Sequence, residues 1–362
     1  MAHREAGMGS IVVHEDGTKL FYLDSGPPSE ITYPTIFAVH GLAFTSRSSC
    51  DVLLPPLLIL FAAIYQRVSS ISRNAGIRFV SINRRGYKGS TPLPDTDREI
   101  LAQGTDAQKT EWLKSRGLEI SNFMSSFIVR ENLPAINPEG KGGCVLLAWS
   151  MGCCFTMPAI AYISDLPSPV RASLASHLRA YILHDPPAMG LGLPMLPSHI
   201  LELGPEMSEE AKSRITTGWL TSYFQHSGFT TRDFHGLDAA PSAIRVPSLW
   251  NMSLTEATDI IDPGPWNAFE FPVLWNFQSQ SNTIYKAVMF DRAVRDELPH
   301  MKIWLTIGDA SLPFCISALW SIQDDEKIHG GDINYKVLPG MNHFVHWDEP
   351  ELTVDTYLEI LS

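Results

Sequence analysis

The stretch VLLAWSMGCC, Val145 to Cys154, decides how the rest of the chain is read. An apolar run leads into Ser150, with Ala148 two positions before it and Gly152 two positions after it. A serine hydroxyl is a poor nucleophile until a base takes its proton and donors hold the oxyanion that forms. A very tight strand-to-helix turn lifts such a hydroxyl above a sheet edge. The turn strains the serine backbone and crowds its neighbours, so both flanking positions must be small. A helix starting at Met151 would aim free amides and a positive dipole end at the reaction centre. The competing reading is a serine that merely caps a buried helix.

Working outward, apolar blocks of strand length recur along the chain. "SIVVHEDGTKLFYLDSG" reads as a hairpin turning at Glu15, Asp16 and Gly17. "TIFAVHG", "IRFVSINRRG", "GCVLLAWS", "RAYILHDPP", "KIWLTIG" and "INYKVLPG" follow, each rich in Val, Ile and Leu as strands buried on both faces require. Helical patterns such as "AQKTEWLKSRGLEISNFMSSFIVREN" lie between most of them. The order predicts an α/β fold, a doubly wound, mostly parallel sheet opening with an N-terminal antiparallel hairpin. Residues 188–298 are too long for an ordinary connection and carry amphipathic and aromatic pieces. They are expected to form a mostly helical cap over the ligand-binding edge of a core spanning 1–187 and 299–362.

Composition narrows the function. Formal net charge is −12 with no dense basic run, which argues against nucleic acid as a partner. Five cysteines in no framework spacing suggest reduced thiols, and "MAHREAGMGS" lacks the apolar core of a secretory signal, so a cytoplasmic protein is expected. The segment 49–65, containing "DVLLPPLLILFAAIY", is unusual. It is shorter than the roughly 20 residues of a membrane span and holds Pro55 and Pro56. A buried helix after the prolines is the expected reading. Membrane-surface contact and an insertion foreign to the natural fold, such as translated non-coding sequence, are the others. No metal-ligand motif or phosphate-cradling glycine loop occurs, so no metal or cofactor is expected.

"AWSMG" resembles the nucleophile elbow of the α/β-hydrolase superfamily, usually Gly-x-Ser-x-Gly, with Ala148 in place of the first glycine. "VHGLAF" is similar to the family's His-Gly turn; the resemblance implies that the amides of Leu42 and Met151 form the oxyanion hole. "NRRGYKGST", Asn83 to Thr91, resembles the structural Asp-x-Arg-Gly-x-Gly-x-Ser loop, with Asn83 for Asp and Arg85 at the arginine position. "PGMNHFVHWDEPE" is similar to the histidine loop and puts His343 on the catalytic position, three after Gly340. His346 reads as a packing or hydrogen-bonding residue. Asp348 with Glu351 reads as a helix N-cap box, and Pro350 as a first-turn proline.

The triad acid stays open. The family usually places it three residues beyond a glycine after the penultimate strand, where this chain has Ser311. Asp309 lies two residues early, and Asp185 in "LHDPP" ends the strand after the elbow helix. Both remain candidates for holding the imidazole. The resemblance implies a serine hydrolase acting on an ester, lactone or thioester of an apolar small molecule. An acyltransferase sharing the acyl-enzyme and a non-catalytic binding protein are the alternatives. Serine at the nucleophile position argues against epoxide hydrolases and haloalkane dehalogenases, which need aspartate there. Trp219, Phe224, Trp250, Trp266 and Trp275 suggest a hydrophobic acyl or ring pocket.

Overall fold

A computed structural model describes residues 6–42, 64–261 and 269–362. Eight strands form one sheet: β1 (Gly7–Val12), β2 (Lys19–Asp24), β3 (Thr35–Val39), β4 (Arg78–Ile82), β5 (Cys144–Trp149), β6 (Leu178–His184), β7 (Lys302–Gly308) and β8 (Ile333–Leu338). Their spatial order is β1-β2-β4-β3-β5-β6-β7-β8. β1 and β2 pair antiparallel, as the hairpin reading requires, and the six strands from β4 to β8 run parallel.

The apolar blocks are explained by burial on both faces. Phe37, Val39, Leu146, Ala148, Tyr181 and Leu183 belong to one core cluster, which takes in the helices Asp106–Glu131, Cys153–Ala161 and Pro313–His329. Ile36, Ala38, Val145, Leu147, Ala180 and Ile182 alternate with them into the opposite cluster, with Val354, Tyr357 and Ile360 of the helix Pro350–Leu361. That period of two is the geometry of a strand. Helix 106–131 is closed at its start by a reciprocal capping box of Thr105 and Gln108.

Strand register positions the site. Val39 of β3 pairs with Ala148 of β5, and Ala148 pairs with Leu183 of β6. Two residues further along the three strands lie Gly41, Ser150 and Asp185. Three residues of quite different parts of the sequence thus emerge side by side at the carboxyl edge.

The connection between β6 and β7 holds the helices Glu209–Leu220, Leu254–Ile260, Phe271–Asn276, Gln278–Phe290 and Arg292–Asp296. Helix 278–290 packs on helix 153–161 and puts Ile284, Tyr285, Val288 and Met289 into the core. Part of the segment 188–298 expected as a cap thus packs into the core of the sheet layers. Of the apolar segment 49–65, residues 49–63 lie outside the described residues, while Ile64 and Tyr65 are buried. Among the described residues no helix is long and apolar enough to cross a membrane.

Candidate active site

Ser150 sits where β5 turns into a short 3-10 segment, Ser150–Gly152, that runs on as the helix Cys153–Ala161. Its φ is +53°, a left-handed conformation that a serine adopts only under constraint. A Cβ on Gly152 would lie 2.6 Å from the Val39 carbonyl oxygen, so that position must stay bare. A Cβ on Gly41 would lie 2.8 Å from the Ser150 Cβ and 3.3 Å from its Oγ. Ala148 carries its methyl group at full burial.

His343 follows β8 and is held from several sides. Its carbonyl accepts from Trp149 Nε1 at 3.0 Å, and its ring lies 5.3 Å from the Trp149 ring. Beside it, the Asn342 carboxamide accepts the Phe344 amide and donates to the Thr221 and Ser222 carbonyls and to the Ser248 hydroxyl.

Of the two carboxylates weighed from the sequence, the structure brings Asp185 to the imidazole. Asp185 Oδ2 is 3.4 Å from His343 Nδ1, and both side chains are buried. The Gly308 amide donates to Asp185 Oδ1 at 3.2 Å and the Ser311 hydroxyl to Oδ2 at 3.1 Å. Asp309 instead accepts the Gly340 amide and closes the turn before the histidine loop. Ser311, at the position where the resemblance places the acid, therefore donates to the carboxylate that lies beside the imidazole. Cys315 also touches the pair. It donates to the Asp185 carbonyl at 3.3 Å, and its sulfur lies 3.8 Å from His343 Nδ1. Burial, then the charge of Asp185, pushes this thiol well up, so it stays protonated.

Ser150 and His343 line one cavity of about 270 Å³, together with Leu42 and Met151. The Ser150 hydroxyl has no hydrogen-bond partner among the described residues, and nucleophile–base contacts are commonly looser without substrate. The connection between β6 and β7 supplies much of the remaining wall, including Leu220, Leu274, Trp219 and Trp275. Among the described residues no Lys, Arg, Asp or Glu lines the cavity, and Thr216 is the one further hydroxyl. Trp250 departs from the aromatic-pocket reading, since it is 75% exposed, whereas Phe224 is buried. Trp266 lies outside the described residues.

The chain matches the model of the Alpha/beta hydrolase family over residues 36–356. It belongs to that family. Similar solved structures include the thioesterase domain of the curacin biosynthetic pathway, at 16% identity and a TM-score of 0.50 over 98% of this chain and 100% of that one. A serine hydrolase involved in carbazole degradation follows at 12% identity and 0.46, covering 98% of each chain. An epoxide hydrolase from Vigna radiata has 12% identity and 0.45, with 99% of this chain and 98% of that one covered. At these identities the likeness is one of fold. No curated protein matches the sequence.

Two features of the hydrolase site escaped the sequence. The first is Arg84, beside the Arg85 that the loop resemblance singled out. Arg85 pairs with Glu119 away from the cavity, while Arg84 is buried against the His40-Gly41 turn and pairs with Glu270. The doubled arginine in "NRRG" was the available signal. The second corrects the N-cap box. Asp348 accepts from Tyr223, Ser248 and Asn251, and the helix Pro350–Leu361 starts without a side-chain cap, although with the expected first-turn proline. His346 is buried at 4.5 Å from the Trp149 ring, and neither of its ring nitrogens has a partner among the described residues. It is a packing residue.

Proposed function

We propose that the protein is a serine hydrolase that cleaves a carboxylic ester, lactone or thioester of an uncharged, apolar small molecule. The observation that carries this reading is the strained Ser150 opening, beside an Asp185–His343 pair, into a cavity that no Lys, Arg, Asp or Glu lines among the described residues.

In this mechanism residues 188–277 act as the cap. Substrate enters beneath it and places its carbonyl carbon at Ser150 Oγ. His343 Nε2 takes the hydroxyl proton as Oγ attacks, while Asp185 keeps the second ring proton on Nδ1 and stabilises the imidazolium. The carbonyl π electrons move onto oxygen, where the Leu42 and Met151 amides receive the charge. Collapse of the adduct expels the leaving alcohol or thiol, which takes the proton from His343. Water then gives a proton to His343 and attacks the acyl-enzyme, and the acid departs as Ser150 is reprotonated. A dry, apolar surround strengthens each of these electrostatic contacts. With serine at the nucleophile position, the alkyl-ester intermediate of aspartate-based relatives has no equivalent.

The test uses p-nitrophenyl esters of graded acyl length together with a fluorophosphonate label. Turnover and labelling of the peptide containing Ser150, both abolished in Ser150→Ala, are expected. A folded Ser150→Ala protein that hydrolyses as fast as wild type would falsify the reading.

A further inference from the structure

We propose that Arg84 and Glu270 form a positioning pair that aims the Leu42 amide into the cavity. The oxyanion site is then complete only while the chain segment carrying Glu270 is seated. The inference rests on the hydrolase reading for its catalytic meaning, but its geometric content stands on its own.

Arg84 follows β4 in the core, whereas Glu270 belongs to the connection between β6 and β7. Both are almost wholly buried, at 3% and 0% exposure, and their side chains form an ion pair. An arginine deep in the protein without a counter-charge is strongly penalised, so Glu270 is what allows Arg84 to lie there. Once there, the guanidinium does a specific job. Its Nε donates to the His40 carbonyl at 3.3 Å and its Nη2 to the Gly41 carbonyl at 3.0 Å. The ring faces of Phe155 and Tyr87 hold it in plane, 4.2 and 4.9 Å from the guanidinium carbon.

The Gly41 carbonyl is also met by His40 Nδ1 at 3.0 Å. The Arg84 amide donates to His40 Nε2 at 3.3 Å, which leaves the ring proton on Nδ1, facing Gly41. Burial, then the Arg84 charge, keeps this imidazole neutral by holding its pKa well below the usual histidine value. Two donors therefore fix the direction of one carbonyl. Across a trans peptide the carbonyl and the following N–H point in opposite directions. Pinning the Gly41 oxygen toward Arg84 turns the Leu42 N–H the other way, on the side where Gly41 meets Ser150 and Leu42 lines the cavity. A glycine peptide has little torsional preference of its own, so the clamp supplies it.

The pair can be removed without leaving a bare charge. Replacing a buried ion pair by apolar residues of similar volume is often neutral for stability, whereas removing one partner is not. The experiment therefore compares wild type with Glu270→Gln and with the double variant Arg84→Met, Glu270→Met. It reads Tm, kcat and KM on the p-nitrophenyl ester that wild type cleaves best, and crystal structures of all three. A purely structural pair predicts a double variant with wild-type kcat. The positioning role predicts a folded double variant whose kcat falls about 10²-fold, as for loss of one oxyanion donor, with KM changed less than about threefold. Glu270→Gln should move kcat the same way and decides the matter if the double variant does not fold. A folded variant with undiminished kcat, or with the Gly41–Leu42 peptide unmoved, overturns the proposal. If wild type cleaves none of the esters, the hydrolase reading fails separately, and the peptide orientation in the variant crystals still decides this one.

Discussion

Asp185→Asn is the perturbation that bears most directly on the catalytic reading. Asp185 has a φ of +47°, and asparagine tolerates this left-handed conformation better than most residues, so the backbone should hold. The Gly308 amide will keep a side-chain oxygen at the Oδ1 position, as it does now at 3.2 Å. The amide NH2 then replaces Oδ2, 3.4 Å from His343 Nδ1. Two N–H groups cannot face each other, so the imidazole must give up its Nδ1 proton and carry one on Nε2 instead. That tautomer cannot accept the Ser150 proton. In a comparable triad this exchange lowers kcat by about 10⁴, or about 5.5 kcal/mol of barrier. The control is Asp309→Asn, which alters the hydrogen bond to the Gly340 amide but leaves the imidazole's partner in place. Steady-state hydrolysis of a p-nitrophenyl ester, with Tm measured on each variant, separates chemistry from folding. If Asp309→Asn loses more turnover than Asp185→Asn while both stay folded, the assignment of the acid is wrong.

Gly41→Ala would press a methyl group to 2.8 Å from the Ser150 Cβ, and a nucleophile displaced by about 1 Å can cost about 10² in rate. Near-normal kcat in a folded Gly41→Ala protein would contradict that close approach. Burial lowers the His184 pKa from 6.5 to about 4, so between those values the unfolded chain binds the extra proton and the native one does not. Stability is therefore full above pH 6.5 and falls by up to about 3 kcal/mol as pH drops toward 4. Urea unfolding at pH 7 and 4.5 should show this loss, and His184→Asn should flatten it, although the buried His40 and His346 add to the slope with the same sign. An unchanged slope would remove His184 from the account. In the apolar cavity each added acyl methylene should raise kcat/KM about fourfold, from about 0.8 kcal/mol per buried CH2, until the space is full. Leu274→Trp should bring that limit to shorter chains, and an unaltered chain-length profile would mean the acyl group lies elsewhere.

The sheet was legible because its strands are buried on both faces, which leaves continuous apolar blocks in the sequence. The elbow was legible because its steric demands, although one comes from the Val39 carbonyl on β3, fall on positions within five consecutive residues. The choice between Asp185 and Asp309 stayed open, because a carboxylate's partner is set by tertiary distance. Asp309 is one residue from Gly308, yet bonds the Gly340 amide, while Asp185 reaches His343 from the carboxyl end of the neighbouring strand. The same limit explains Asp348. A local cap competes with the Tyr223 and Ser248 hydroxyls and the Asn251 amide, which come from the chain between β6 and β7, and those donors win. Trp219 and Trp250 look alike in sequence, but one lines the cavity and the other faces solvent.

An acid at Asp185, at the end of β6, in place of one on the β7 turn, as proposed here, changes little in space. Adjacent strands lie about 4.8 Å apart, and Ser311 on the β7 turn still bonds the same carboxylate. The cost appears in the backbone instead. Ser150 and Asp185 both have positive φ, and both stand just past the ends of paired strands. Aspartate visits that left-handed conformation fairly readily, whereas serine adopts it under constraint. It persists here because β5 is hydrogen-bonded on both sides and β6 likewise, so the strands cannot relax to relieve the turns. The strain is thus carried by the sheet, and it lifts the hydroxyl and the carboxylate out of the same edge toward the histidine loop. The sheet, and not the loop sequence, fixes where the Asp185 carboxylate points, which is what the acid role proposed for it needs.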